Sequence, residues 1–330
     1  MAENLLHGVP AKNISPRTFG WQLFFGWLLL NLCFGLLIAA YLIGSQRHFE
    51  DKARQNSEAL VEVLEADIAA SLEKIDTLLQ VSADEFHRQL AQGVFDHAQI
   101  ESFLDRQRVR QKLISGLIFY NAEGNAKFGA QGKSGPETSN RDRDYFVTLR
   151  DNPAAGLVIT KPLFGRVTDK WVMVLARRVN NPDGSFAGVI LASLALENFE
   201  RKFAALKLGA NGSIAIRGND MALITRHPMV KDVADYGAKK LSDEFQLALA
   251  ADRQRGAYVS GATSIDGIQR LHAYRYNPDF HFFINVGVAR DEYLAGWVSQ
   301  LRIALLNLLT LLLLSALALF QIHRYAGRLA

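Results

Sequence analysis

The sequence predicts an α+β protein: an apolar helix near each end and, between them, a long helix followed by two modules of antiparallel strands with flanking helices. Three observations predict it. Two uncharged runs, residues 18–46 and 303–322, are each long enough for a membrane span, which needs about 20 mainly apolar residues. An apolar stripe at spacings of three and four follows the first run. From Leu117 onward, short β-rich pieces alternate with turn signals, and the pattern occurs twice.

The first run reads WQLFFGWLLLNLCFGLLIAAYLI over residues 21–43, with Trp21, Trp27 and Tyr41 suited to a membrane interface. It exceeds the apolar core of a signal peptide and no clear A-x-A site follows, so an uncleaved anchor is expected. The second run is apolar on every face, bordered by Arg302 before and His323 and Arg324 after. Lys12 and Arg17 against Glu3 in the first tail, and Arg324 and Arg328 in the second, place both tails in the cytoplasm. The expected division is a tail at 1–18, a span at 19–45, a stalk and helical lead-in at 46–115, modules at 116–205 and 206–296, a span at 297–322 and a tail at 323–330. The segment between the spans is then extracytoplasmic.

Val61, Leu64, Ile68, Leu72, Ile75 and Leu79 form one stripe on a helix. The stripe can pack on its own domain or meet a partner helix in a homodimer. Beyond it, residues 117–128 read as a hairpin around Asn121 and Gly124. Residues 156–165, 170–179 and 186–196 read as three strands, with Asn-Asn-Pro-Asp-Gly at 180–184 as a turn. A second hairpin (212–218 and 221–228), a helix near 241–251 and three more strands repeat the scheme. Helices segregated against antiparallel sheets define the α+β class.

Composition removes several functions. The net charge is +4 with no Lys/Arg-rich block, which argues against a nucleic-acid partner. Cys33 is the single cysteine, excluding an intrachain disulfide or a Cys-based zinc site. Eight histidines include no H-E-x-x-H pair; His272 and His281 are expected on successive strands in structural roles. No G-x-S-x-G, Walker loop or G-x-G-x-x-G occurs, and the acid pairs Asp142/Asp144 and Asp291/Glu292 show no sign of a catalytic dyad. No enzyme, metal or cofactor is expected.

A membrane anchor, a long helix, two tandem PAS-like modules and a return span resemble the double Cache (PDC) sensor domain. The stretches that carry the resemblance are RDYF at 143–146, ITKPLFGRVTDKW at 159–171, DGSFAGVILASL at 183–194, LGANGSIAI at 208–216 and the closing residues 265–297. The chain looks most like ectodomains of membrane-bound diguanylate cyclases; histidine kinases and chemoreceptors use the same domain. The resemblance implies a two-pass protein of the bacterial inner membrane whose periplasmic domain senses a small molecule. It also implies a membrane-distal first module holding the ligand, a membrane-proximal second module, and signalling through the long helix and the exit helix.

Arg141, Arg143 and Asp144 stand beside Tyr145 and Phe146, a donor fork next to aromatic walls. Lys161, Trp171 and Arg177 complete the expected ligand-binding set; Arg166 and Arg178 are nearby cations, and only one of Arg177 and Arg178 can face the pocket. Against the R-x-W-Y motif of amino-acid-binding relatives, Arg143 keeps the arginine while Tyr145 and Phe146 stand at the aromatic positions. Leu163, Gly165 and Ser193 occupy the places of the later aromatic and the two acids that hold an ammonium. An organic anion, a carboxylate for instance, is therefore expected rather than an amino acid. About eight residues follow the second span, leaving no room for an output domain. The expectation is a receptor subunit with a separate output protein, or part of a larger receptor. The alternative is a membrane-anchored adaptor in which the Cache fold binds protein and its pocket is vestigial.

Overall fold

In the computed structural model, residues 16–93, 96–129, 138–230, 235–261 and 265–329 are described. Glu3 and Lys12, used above for orientation, lie outside the described residues, as do the side chains of Arg17 and Arg328. The chain divides into two compact units: one spans residues 53–292, the other joins the chain up to Lys52 with that from Tyr293.

Helix α1 (Pro16–Gln92) is unbroken over 77 residues. Proline stands only at its first position, where a missing N–H costs nothing. Within the terminal unit, α1 pairs with the last helix, α7 (Ala295–Leu329). Trp27 Nε1 donates to Ser315 Oγ at 2.9 Å, Ser45 Oγ donates to Gln300 Oε1 at 2.6 Å, and Trp297 Nε1 donates to the Leu42 carbonyl at 2.9 Å. The Leu, Ile and Phe side chains of both runs are largely exposed, as lipid-facing residues must be. Both helices are long and apolar enough to cross a membrane.

The larger unit holds two antiparallel sheets of the same plan. The first contains β1 (Ile114–Asn121), β2 (Ala126–Phe128), β3 (Val158–Ile159), β4 (Leu163–Phe164), β5 (Trp171–Asn180) and β6 (Phe186–Ala195), in the order β2-β1-β6-β5-β3 with β4 also on β5. The second contains β7 (Ser213–Gly218), β8 (Leu223–His227), β9 (Arg255–Val259), β10 (Arg270–Asn277) and β11 (Phe282–Ala289), in the order β8-β7-β11-β10-β9. In each, the last strand returns beside the first and the meander finishes the sheet. Four short helices flank them: α2 (His97–Arg110), α3 (Asp144–Asp151), α4 (Leu196–Ala204) and α5 (Asp243–Ala251). A single turn, α6 (Arg290–Tyr293), precedes α7.

The α1 stripe packs on its own domain: Val61, Leu64, Ile68, Leu72, Ile75 and Leu79 are all buried in one cluster with residues of both sheets. Each such burial contributes roughly 1.5–3 kcal/mol. Ion pairs from Arg177 to Asp76 and from Arg275 to Glu65 tie α1 to the first and second sheets respectively.

Two strand expectations change. Residues 156–165 form two dipeptide pieces, β3 and β4, rather than one strand. The Thr160 hydroxyl accepts from Val174 N where a carbonyl would stand, and Pro162 has no N–H to offer. His281 lies in the turn before β11 with φ 55°, so of these two His272 alone is on a strand.

Candidate functional site

Strand alternation gives each sheet an inner face toward α1 and an outer face. On the first sheet's outer face lie Ile118, Tyr120, Val172, Val174 and Leu191, covered by Tyr145, Phe146 and Leu149 of α3. Arg143 is the N-cap of α3 with extended backbone (φ −77°, ψ 136°), so the chain turns into the helix there. The loop before it is seated on the β1–β2 hairpin. Gly124, at φ +83°, lies so close to the backbone of Arg141 that an added Cβ would meet it at 2.7 Å, and Asn140 N donates to the Gly124 carbonyl.

Between this loop, the 163–168 loop and the sheet lies a cavity of about 20 Å³. Tyr120, Asn140, Arg143, Tyr145, Arg166 and Thr168 supply its polar wall. Arg143 Nη2 donates to the Phe164 carbonyl at 2.9 Å, while its Nε is buried with no partner among the described residues. Thr168 Oγ1 is likewise buried and unpartnered. Arg166 is held by a two-point pair with Asp142, at 2.6 and 2.7 Å, and also donates to the Ser139 carbonyl. The hydrogen bonds from Arg166 hold the Asp142 carboxyl down at about 2. Burial pushes the Tyr120 phenol up to about 12 and raises that of Tyr145 as well, so both remain donors at neutral pH. No Asp or Glu lines the cavity among the described residues.

The structure brings Arg143 and Tyr145 of the expected set to this cavity and disperses the rest. Phe146 is fully buried against Phe186, with rings edge-to-face at 5.6 Å. Asp144 and Arg141 are exposed beside the site. Trp171 meets Phe164 edge-to-face and Tyr236 at a tilt, and does not line the cavity. Arg177 faces α1 and pairs with Asp76 at 2.5 Å; its neighbour Arg178 takes the α3 side, donating to the Leu149 and Arg150 carbonyls and lying 4.7 Å from the Phe186 ring centre. Lys161 lines a different space, a cleft of about 400 Å³ between the two modules, where it pairs with Asp220 at 2.8 Å. That cleft is larger, but its lining is mainly apolar and Asp220 already answers Lys161 and Lys239. Convergent unpaired donors favour the smaller cavity. Tyr120, Asn140 and Thr168 lie outside the expected set; Asn140 adjoins the RDRDYF stretch, but Tyr120 is set by the phase of β1 alone.

No protein-family model and no curated protein matches the sequence. Solved structures do. The extracellular domain of rpHK1S-Z16, described as a histidine kinase, matches at TM-score 0.63 and 23% identity over 75% of this chain and 98% of its own. The sensory domain of the Campylobacter jejuni chemoreceptor Tlp3 with bound isoleucine matches at 0.55 and 10%, over 75% and 97%. The ligand-binding domain of the Pseudomonas fluorescens chemoreceptor CtaA with L-serine matches at 0.53 and 15%, over 73% and 99%. The fold of the segment between the two apolar helices is thus that of a double-Cache sensory domain.

Proposed function

We propose that this chain is a transmembrane receptor subunit that binds a small organic anion in the first module, outside the cytoplasm, and passes its occupancy to the two membrane helices. The observation that carries the reading is the buried Nε of Arg143, unpartnered among the described residues and set with Thr168 and two protonated tyrosines in a cavity whose described lining holds no carboxylate. A guanidinium with open donor capacity matches a carboxylate. An ammonium would find no acid here, and burying one unpaired is costly. The Tlp3 and CtaA domains above are solved with amino acids bound; Leu163, Gly165 and Ser193 leave this cavity without the acids to hold an amine.

The subunit acts as a sensor and not as a catalyst. It resides in a bacterial inner membrane with its sheets in the periplasm, and its occupancy is read by a cyclase, a kinase or a chemotaxis partner. Because the inner stripe of α1 is occupied by its own sheets, a homodimer would use the outward face of α1 and the spans. One observation favours the adaptor reading: about 20 Å³ is room for roughly one water, so a ligand must displace the 139–145 or 163–168 loop.

The test is thermal unfolding of the full chain in nanodiscs against a panel of mono- and dicarboxylates and a panel of amino acids. A rise in melting temperature with a carboxylate, lost in Arg143→Met, is expected. Amino acids alone raising it would contradict the anion assignment, and silence on both panels would favour the adaptor.

A further inference from the structure

The outer face of the second sheet carries charge where the first carries hydrocarbon. Arg217 on β7, Arg226 on β8 and Arg270 on β10 line a cavity of about 60 Å³ in which Asp266 is the one acidic lining residue among the described residues. Asp266 is divided: Oδ2 accepts from Arg226 Nη2 at 2.7 Å and Oδ1 from Arg270 Nη1 at 2.8 Å. Among the described residues Arg217 bonds only to neutral carbonyls, Met221 at 2.8 Å, Ala238 at 3.2 Å and Lys240 at 3.1 Å. Arg270 is 2% exposed, and its Nη2 is buried with no partner among the described residues.

The described wall therefore holds three guanidiniums against one carboxylate. His272 adds no charge at neutral pH: burial lowers it to about 4, and its Nδ1 is bonded to Asn285 Oδ1 at 2.8 Å. Glu244 stands outside the lining, accepting from Gly261 N at 3.0 Å. Burial brings Arg217 down to about 10, a sign of how poorly its charge is compensated. Uncompensated buried charge is expensive, and a bound counter-ion relieves it.

Size and lining narrow the counter-ion. The space admits roughly three waters, hence a molecule of a few heavy atoms. Leu241, Phe245 and Ile265 give the wall an apolar part, which suits a short carbon tail. We infer that this cavity is a second ligand site, for a short-chain carboxylate such as acetate, whose oxygens are taken by Arg217 and the free Nη2 of Arg270. The site belongs to the second module and does not depend on the reading of the Arg143 cavity.

Thermal unfolding of the full chain in nanodiscs, titrated with sodium acetate against sodium chloride at equal ionic strength, tests it. A melting temperature that climbs with the logarithm of acetate concentration, persists in Arg143→Met and needs at least about tenfold more acetate in Arg217→Met is expected. Should Arg217→Met show no cooperative melt, Ala215→Val decides: it narrows the same cavity while every arginine stays in place, so it still melts cooperatively and loses the response. A wild-type melt indifferent to acetate overturns the site. So does a response that survives Ala215→Val, or one that vanishes in Arg143→Met alone. Inorganic phosphate shifting the melt where acetate does not overturns the carboxylate assignment.

Discussion

The two modules share one strand order yet cover their outer faces with opposite chemistry. Among the described residues, eleven buried apolar residues on the first make a continuous core between the sheet and α3; on the second the buried apolar cluster is Phe245, Tyr274 and Phe283, and arginines line the cavity beside it. The first module therefore keeps a small polar notch at the rim of a hydrocarbon face, and the second encloses a charged cluster. A repeated topology fixes where a concavity forms, between sheet and covering helix. Side chains alone decide what it accepts.

Five variants of the full chain can break that contrast. The largest effect is expected from Phe146→Ala, which empties a fully buried ring from the first outer face: a loss of about 4 kcal/mol in denaturant unfolding. Asp266→Asn should cost about 3 kcal/mol, since it leaves Arg226 and Arg270 buried without their shared counter-charge. The matching change on the first module, Asp142→Asn, breaks a pair whose acid is 66% exposed and should cost under about 1 kcal/mol. Equal losses from the two Asn variants would erase the distinction between the faces.

Acid should affect the second module first. The folded pKa of His272 lies below its ordinary 6.5, at about 4, because burial disfavours the charged ring. The unfolded chain then binds the extra proton, so stability is full above about pH 6.5 and falls as pH drops toward 4. The slope is at most about 1.4 kcal/mol per pH unit, or about 2 kcal/mol by pH 5. Asp266, whose carboxyl is raised by burial but held down overall by Arg270 and Arg226, adds a further loss below its ordinary 3.8. Melting curves across this range should flatten in His272→Gln; an unchanged profile would show that the ring is not held neutral. The smallest expected effect is Arg143→Met, a partly exposed residue whose loss should shift stability by under about 1 kcal/mol while abolishing ligand response at the first site.

The architecture was legible because its signals are local. The α1 stripe, the Asn-Asn-Pro-Asp-Gly turn and the hairpin at Gly124 each act within a few residues. Residues 156–165 were harder, since a hydroxyl of Thr160 takes over a ladder bond that no hydrophobic pattern announces. Of the first cavity, Arg143 and Tyr145 could be read from one short stretch. The choice between Arg177 and Arg178 could not: β5 is apolar on both sides because helices cover both faces, and alternation then carries no phase. The Arg217, Arg226 and Arg270 cluster was invisible for a different reason. Its members sit on three strands and meet only through the order β8-β7-β11-β10, where Ala215 pairs with Arg226 and the strand of Arg270 arrives from the far side.

The hydrogen bonds from Trp27, Ser45 and Trp297 pin the two apolar helices at one height. Sliding either past the other by a single turn, about 5.4 Å, would rupture all three at once, and hydrocarbon offers no water in exchange at Ser315. A one-turn piston stroke between the two legs of one chain therefore costs all three bonds.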